Sequence, residues 1–240
     1  MSKLSYLTFN TSHPGVYRKE CENSYGLWKA QWLETFSSLD KTRTLNSDEF
    51  LDRELSGLFE GEKPIGFTLV KFIDLSFAST LDILYFKNYP EELTEQNKFL
   101  QDRIMIMSFM TLRPDWRKSQ TNFSISELLL GFMILRLNIS NSNRALACIR
   151  NDRSINKVFY RHSGRFLLKG TAYNVEVDYA EADTLTSTLS SYSSHALLCF
   201  KLWSEFYNQR RKKRHDLERR ITPRQDEQAS RRVPQPTLDQ

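Results

Sequence analysis

The sequence has few cysteines, no long apolar run and no internal repeat. Its three cysteines, Cys21, Cys148 and Cys199, are far apart and show no CxxC spacing, which argues against a disulfide framework or a thiolate metal site. The N-terminus MSKLSYLTFN has no apolar signal-peptide core, and no apolar stretch approaches the ~20 residues of a membrane span. These absences predict a soluble protein of a reducing, cytoplasmic compartment.

Excess positive charge is confined to one end of the chain. The formal net charge is +5, and residues 210–240 hold ten Lys or Arg against five Asp or Glu, so the remainder is neutral. A uniformly basic face for nucleic acid is therefore not indicated. Any electrostatic attraction belongs to the segment RRKKRHDLERR and to the residues C-terminal to it.

The 240 residues, 40% of them hydrophobic, predict one well-filled domain. The alternation of strands and helices along it predicts an α/β fold with an added C-terminal helix. The spacing of Trp28, Trp32, Leu33 and Phe36 predicts an amphipathic helix within residues 14–37. A second short helix, capped by Ser47, is predicted in SDEFLDRELSGLF. Further elements are a strand over 65–75, an insertion over 76–101 that would act as a lid, a central strand over 103–112, a helix over 124–140, a strand over 144–150, a helix ending at Gly164, and an alternating strand TAYNVEVDYA.

The segment RPDWRKSQTNFSISELLLGF places a polar loop between the central strand and a long apolar helix. Ser124 and Glu127 match a capping box, in which Glu127 reaches back to the free amide of Ser124. A loop of exposed amides at a helix N-terminus is a general device for binding an anion. Arg117 and Lys118 add positive charge, so the loop is either a phosphate site or an ordinary capped helix with two solvated cations.

The order of elements resembles the GNAT superfamily of acyl-CoA-dependent N-acyltransferases, over residues 10–180. The family's loop R-x-x-G-x-G/A wraps the pyrophosphate of coenzyme A. Here the matching residues run from Arg117 to Asn122 and follow LRPDW, with both glycines replaced. The resemblance implies a mixed central sheet flanked by helices and no metal. It implies that the acyl donor is bound by Met110, Leu112, Arg117, Lys118, Ser119, Gln120, Thr121, Asn122, Asn151 and Asn156.

A second match is the segment RNDRSINKVFYRHSGRF, where the family has an asparagine that contacts the cofactor and a tyrosine near the thioester sulfur. Tyr160 would be the general acid that protonates the leaving thiolate. A buried ring with its hydroxyl satisfied by the backbone is the alternative for Tyr160. No motif identifies a general base, although Asp74, Asp102, Glu176 and Asp178 lie at strand positions.

The replaced glycines and the insertion also resemble GNAT relatives that acylate amino acids or make acyl-homoserine lactones with chains carried on acyl carrier protein. The donor is therefore acyl-CoA or an acyl-phosphopantetheine, and the acceptor is an amine on a small molecule or a protein. An acidic carrier would meet Arg113, Arg117, Lys118 and the basic tail. The apolar strand 103–112 and the insertion would line an acyl tunnel or simply belong to the core.

The predicted domain boundaries are 1–183 for the acyltransferase domain, 184–194 for a linker or edge strand, 195–221 for a basic helix, and 222–240 for a disordered tail. The helix HALLCFKLWSEFY followed by RRKKR would cover the domain surface, pair with a second copy of the chain, or meet an anionic membrane or nucleic acid. An N-acyltransferase is the preferred function. The alternatives are a catalytically degenerate GNAT-like binding module and a protein acting through this basic helix.

Overall fold

A seven-stranded mixed sheet organises the first part of the chain. The computed structural model describes residues 3–39, 44–77, 79–80, 84–87, 89–95, 102–117, 123–162, 164–172, 174–184 and 193–221. The strands are β1 (Leu4–Asn10), β2 (Glu54–Glu60), β3 (Lys63–Asp74), β4 (Arg103–Leu112), β5 (Arg144–Arg150), β6 (Arg165–Ala172) and β7 (Val175–Asp183). Their order is β1-β2-β3-β4-β5-β7-β6. Strands β4 and β5 are parallel, and every other neighbouring pair is antiparallel.

Helices flank this sheet, as the α/β prediction requires. They are α1 (Arg18–Leu39), α2 (Leu84–Lys87), α3 (Glu91–Glu95), α4 (Ile125–Asn138), α5 (Ile155–Arg161) and α6 (Ser193–Ile221). The mixed sheet with flanking helices and a C-terminal helix is confirmed. Among the described residues, no helix has the length and the apolar character that crossing a membrane requires.

Helices α1 and α4 lie on opposite faces of the sheet. Phe67 and Leu69 of β3 pack in one cluster with Trp28 of α1. The Cβ position of Gly66, the neighbour of Phe67, faces Ile125 of α4 instead. Because successive strand residues point to opposite faces, α1 and α4 cover the two sides of the same strands.

The described part of the insertion packs on the sheet beside β4, β5 and β7. Phe86, Tyr89 and Leu93 are buried there in a cluster that includes Ile104 and Tyr179. The Tyr89 and Tyr179 rings meet edge to face, with centroids 4.9 Å apart. These three insertion residues therefore extend the core.

The predicted helix over SDEFLDRELSGLF is wrong. Only Ser47–Glu49 form a short 3-10 helix, capped by Asn46, and the segment from Glu54 onward becomes β2. Strand β2 pairs with β1 on one side and β3 on the other, so ladder pairing and burial override the helical spacing of its leucines. Strand β1 itself was not predicted.

The prediction of one continuous strand over TAYNVEVDYA is also wrong. The chain leaves β6 at Ala172 and enters β7 at Val175, and these two residues pair across a hairpin. Asn174 has φ of 60°, a left-handed conformation that asparagine tolerates better than most residues. The alternation of apolar and polar residues continues from β6 into β7, so the sequence pattern alone does not reveal the hairpin between them.

The chain divides into two compact units, residues 1–203 and 204–240, so that α6 begins in the first and ends in the second. In the first unit Cys199, Leu202 and Trp203 are buried, and the Trp203 ring lies 5.2 Å from that of Tyr6. In the second, Arg210 stacks over Phe206 at 6.0 Å. The predicted linker lies almost wholly outside the described residues, and the predicted disordered tail lies entirely outside them.

Candidate active site

The two parallel strands at the centre of the sheet pair over only part of their length. The register of β4 and β5 runs from Ile104 opposite Arg144 to Met107 opposite Ala147. Both strands then continue, β4 to Leu112 and β5 to Arg150. Beyond Met107 their facing edges are unpaired in this register, and backbone amides and carbonyls at such an edge need another partner.

A β-bulge lies on β4 where this gap begins. The β3–β4 register shifts between Phe67 and Leu69, so that Phe109 and Met110 together oppose Thr68. Phe109 has φ of 52°, which is uncommon for a residue with a side chain. A bulge bends its strand and redirects the residues after it, and bulges are frequent beside active sites.

A cavity of about 550 Å³ occupies this region. Its walls include Met107, Met110 and Leu112 from β4, and Ala147 and Ile149 from β5. Because residues of α1 and α4 both line it, and these helices lie on opposite faces of the sheet, the cavity passes through the gap between the two strands. Two reactants could therefore meet from opposite sides of the sheet.

The wall on the α1 side is largely polar. Gln31, Glu34, Thr35 and Ser38 line the cavity, and their spacing of three and four residues places them on one helix face. The Gln31 amide donates to the carbonyl of Leu112 at the end of β4. Glu34 is the single carboxylate among the described lining residues, so this side suits a positively charged group.

The wall on the α4 side is largely apolar. Leu130 and Met133 of α4, with Phe159 and Ile155 of α5, line the cavity there. Thr68 adds a hydroxyl that is fully buried and has no hydrogen-bond partner within the described part of the chain. This side suits an alkyl chain, since burial of apolar surface is favourable by about 0.8 kcal/mol per CH₂.

Arg117 is the described member of the predicted phosphate loop. Its Nη2 donates to the Gln31 Oε1 at 3.0 Å, and it lines the cavity together with the predicted Met110 and Leu112. The other predicted loop residues lie outside the described residues; they are Lys118, Ser119, Gln120, Thr121 and Asn122.

The expected cap on α4 forms in one direction only. The Ser124 hydroxyl accepts from the Glu127 amide at 3.4 Å. The Ser124 amide, however, donates to His195 Nε2 at 2.9 Å rather than to Glu127. The Glu127 carboxylate instead lies 3.2 Å from Arg161. Arg161 of α5 and His195 of α6 thus replace the partners that a capping box would supply, and an ion pair with arginine is stronger than a bond to a backbone amide.

Three predicted site residues meet at one carboxylate, that of Asp178 on β7. Its oxygens accept from the Tyr160 hydroxyl at 2.6 Å, from Asn151 Nδ2 at 2.9 Å and from Asn156 Nδ2 at 3.0 Å. A fourth bond joins Asn156 Nδ2 to Asn151 Oδ1 at 3.1 Å. This cluster stands beside the cavity: Phe159 is a lining residue, whereas Tyr160, Asn151 and Asn156 are not among the described ones.

The cluster fixes the protonation of its members. Burial raises the pKa of Asp178, but the bonds from Tyr160, Asn156 and Asn151 outweigh it, so the net pKa is lowered. Burial raises the pKa of Tyr160, and the hydrogen bond to Asp178 and the charge of that carboxylate raise it further. At neutral pH the pair is therefore a neutral phenol donating to a carboxylate.

Two of the other carboxylates considered as bases have different tasks in the structure. Asp74 accepts hydrogen bonds from the amide and the hydroxyl of Ser76. Asp102 pairs with Arg144 at 3.4 Å. Neither these two nor Glu176 is among the described residues that line the cavity.

Cys148 and His162 are both neutral at pH 7. Cys148 lines the cavity, and burial raises the pKa of its thiol to about 12. Burial, aided by the charges of Arg161 and His195, lowers the pKa of His162 to about 4. The described residues contain no group of His, Cys, Asp and Glu side chains that could hold a metal ion.

The structure adds site residues that the sequence did not single out. Gln31 and Glu34 lie on the helix that the sequence predicts. Only the position of the strand gap shows that their face of that helix lines the cavity. Arg150 and Arg153 also line the cavity. They lie at the start of the segment RNDRSINKVFYRHSGRF. The two positive charges on either side of Asp152 are the sequence feature that could have identified them.

No family model and no curated protein matches the sequence. Among solved structures, the chain is similar to the CoA-dependent acyl-homoserine lactone synthase BjaI with SAM and isopentyl-CoA. That similarity has a TM-score of 0.59 and 13% identity, over 82% of this chain and 90% of that one.

Two further synthases are similar to the chain. The acyl-homoserine lactone synthase LasI matches with a TM-score of 0.53 and 12% identity, over 80% of this chain and 96% of that one. The CoA-dependent synthase MesI matches with a TM-score of 0.53 and 9% identity, over 81% and 94%. The chain therefore shares the fold of these synthases, and the predicted GNAT-like architecture is confirmed.

Proposed function

We propose that the protein is an N-acyltransferase that moves an acyl group from a pantetheine thioester to an amine. The observation that carries this proposal is the cavity through the β4–β5 gap, apolar on the α4 side and polar on the α1 side. The similar enzyme BjaI is described as CoA-dependent and was solved with SAM and isopentyl-CoA, which supports a thioester donor and a small amine acceptor.

The donor would occupy the gap and the apolar wall. A pantetheine arm carries amides that can pair with the unpaired strand edges beyond Met107, as a neighbouring strand would. Its acyl chain would lie against Leu130 and Met133. Arg117, together with the loop residues after it, would bind the phosphate of that arm.

The acceptor would enter from the α1 side, where Glu34 attracts an ammonium group. The bound ammonium first releases one proton to water. The neutral nitrogen then attacks the thioester carbon and loses a second proton as the C–N bond forms. The C–S bond then breaks, and the departing thiolate takes up one proton to give the free thiol and the amide. The second proton lost by nitrogen balances the one taken up by sulfur, and water carries away the first, so the reaction needs no other reactant.

Tyr160 is the proposed donor of the proton that reaches the thiolate, because its raised pKa keeps the hydroxyl protonated at neutral pH. In the structure its O–H points to Asp178. The O–H bond must therefore rotate toward the sulfur in the donor complex. We expect Tyr160→Phe to lower kcat by roughly a hundredfold with little change in donor Kd.

The first test is thermal melting with acetyl-CoA, a long-chain acyl-CoA and an acylated carrier protein. A ligand that binds the folded state raises the Tm by mass action. We expect stabilisation to grow with acyl length, by about 0.8 kcal/mol or roughly fourfold in Kd per CH₂ while the cavity has room.

A variant of Arg117 and a matched control test the donor site. Arg117→Ala should weaken donor binding, whereas Arg18→Ala, at an exposed arginine on α1, should leave it unchanged. Absence of a Tm shift with every thioester would remove the proposal in favour of a non-catalytic binding module.

A further inference from the structure

Two arginines stand across the gap from Arg117. Arg150 ends β5, and Arg153 ends the 3-10 turn after it. Because β4 and β5 are parallel, their carboxyl ends lie at the same edge of the sheet, so Arg117, shortly after β4, faces the same opening. All three arginines line the one cavity. Glu34 is the opposing charge among the described lining residues, so the opening is cationic.

The arginine pair is organised by one carboxylate. Asp152 accepts from Arg150 Nε at 3.0 Å and from its Nη2 at 2.5 Å, and it lies 3.6 Å from Arg153 Nε. The Arg150 side chain is 12% exposed, whereas that of Arg153 is 66% exposed. One carboxylate shared by two guanidinium groups leaves one positive charge uncompensated, and Arg153 is the group free to extend toward a ligand.

Hydrogen bonds to Asp178 hold the turn that carries this pair of arginines. Asn151, between the two arginines, donates to Asp178 at 2.9 Å, and Asn156 reaches the same carboxylate from α5. Ser154, which follows the turn, has a left-handed conformation, with φ of 57°. The backbone of the turn is therefore held in place by Asp178 before any ligand arrives, which reduces the entropy lost on binding.

We propose that Arg150 and Arg153 bind a second phosphate of the acyl donor, apart from the one assigned to Arg117. Arginine is suited to phosphate through paired N–H donors. A carrier-bound phosphopantetheine has one phosphate, whereas coenzyme A has three. The donor is thus a nucleotide-bearing thioester such as acyl-CoA. This inference rests on the proposed function and assigns its donor class.

The test uses four octanoyl thioesters that differ only beyond the pantetheine arm: octanoyl-pantetheine, octanoyl-phosphopantetheine, octanoyl-dephospho-CoA and octanoyl-CoA, with zero to three phosphates. Titration calorimetry measures Kd without requiring turnover. We expect the wild type to bind octanoyl-CoA at least about tenfold more tightly than octanoyl-phosphopantetheine, as charged hydrogen bonds would give.

Arg153→Gln should abolish that difference and leave the Kd of octanoyl-phosphopantetheine unchanged. Arg18→Gln removes the same charge from an exposed site on α1 and should preserve it. Equal wild-type affinity for the one-phosphate and three-phosphate donors would overturn the inference, as would an equal loss for all four donors in Arg153→Gln. Tighter binding of octanoyl carrier protein than of octanoyl-CoA would also overturn it. If none of the thioesters binds, the proposed function itself fails.

Discussion

Asp178 illustrates how a residue can matter without touching a ligand. It accepts three hydrogen bonds from α5 and the turn before it, and replacement by asparagine removes the charge that all three donors address. We expect Asp178→Asn to lower the free energy of unfolding at pH 7 by on the order of 3 kcal/mol. Urea unfolding measures this loss.

The loss should depend on pH with a definite sign. The pKa of Asp178 is lowered in the folded state, so its stabilisation is present above the ordinary carboxyl pKa of about 4 and disappears as pH falls through the folded value. The difference in stability between wild type and Asp178→Asn should therefore shrink as pH falls below about 4. Asp52→Asn, at an exposed carboxylate, is the control and should change little. A deficit that persists unchanged at the lowest pH would contradict this account.

At the level of elements, β2 depends on a glycine. A Cβ at Gly57 would stand 2.5 Å from the Phe67 Cβ and 2.7 Å from the Gly66 carbonyl oxygen of the adjacent strand. We expect Gly57→Ala to destabilise the fold by about 1–3 kcal/mol through overpacking. Thermal unfolding would show a lowered Tm.

Gly26→Ala in α1 is the matched control for that substitution. A Cβ at Gly26 meets nothing within 4 Å, and alanine favours a helix by about 1 kcal/mol over glycine. Its Tm should stay the same or rise. A Gly57→Ala protein as stable as the wild type would mean that β2 relaxes around the methyl group.

The same elements show what sequence can predict. Central strand β4 and helix α4 are strongly apolar and bounded by clear signals, so their positions follow from pattern. Segment Glu54–Glu60 spaces its leucines as a helix would, and only partners distant in sequence make it a strand. The bulge at Phe109 leaves no mark in composition, yet it shapes the site.

Across the whole molecule, the predicted site residues that the structure brings together are those that lie close in sequence. Asn151, Asn156 and Tyr160 converge because they share a turn and a helix, and their partner Asp178 was among the carboxylates considered. Gln31, Glu34 and Thr68 were missed, since only the three-dimensional course of the β4–β5 gap brings them to the cavity.

The stability of the whole molecule should fall in mild acid because of a buried histidine. The pKa of His162 is lowered to about 4, so the unfolded chain binds a proton below about pH 6.5 that the folded chain takes up only near pH 4. Unfolding free energy should thus decrease from pH 6.5 to pH 4. His162→Leu should flatten that slope in urea unfolding, whereas His13→Gln, at an exposed site, should retain it; an identical slope in all three proteins would exclude His162 as its source.

The passage through the sheet has a consequence for how such an enzyme diversifies. Residues of α1 and of α4 line the two sides of the cavity, and in the proposed reaction they would contact the acceptor and the donor respectively. Substitutions on one helix can alter one specificity while the other is inherited unchanged. The architecture is thus modular, and a lineage built on it can exchange acceptors and retain its donor.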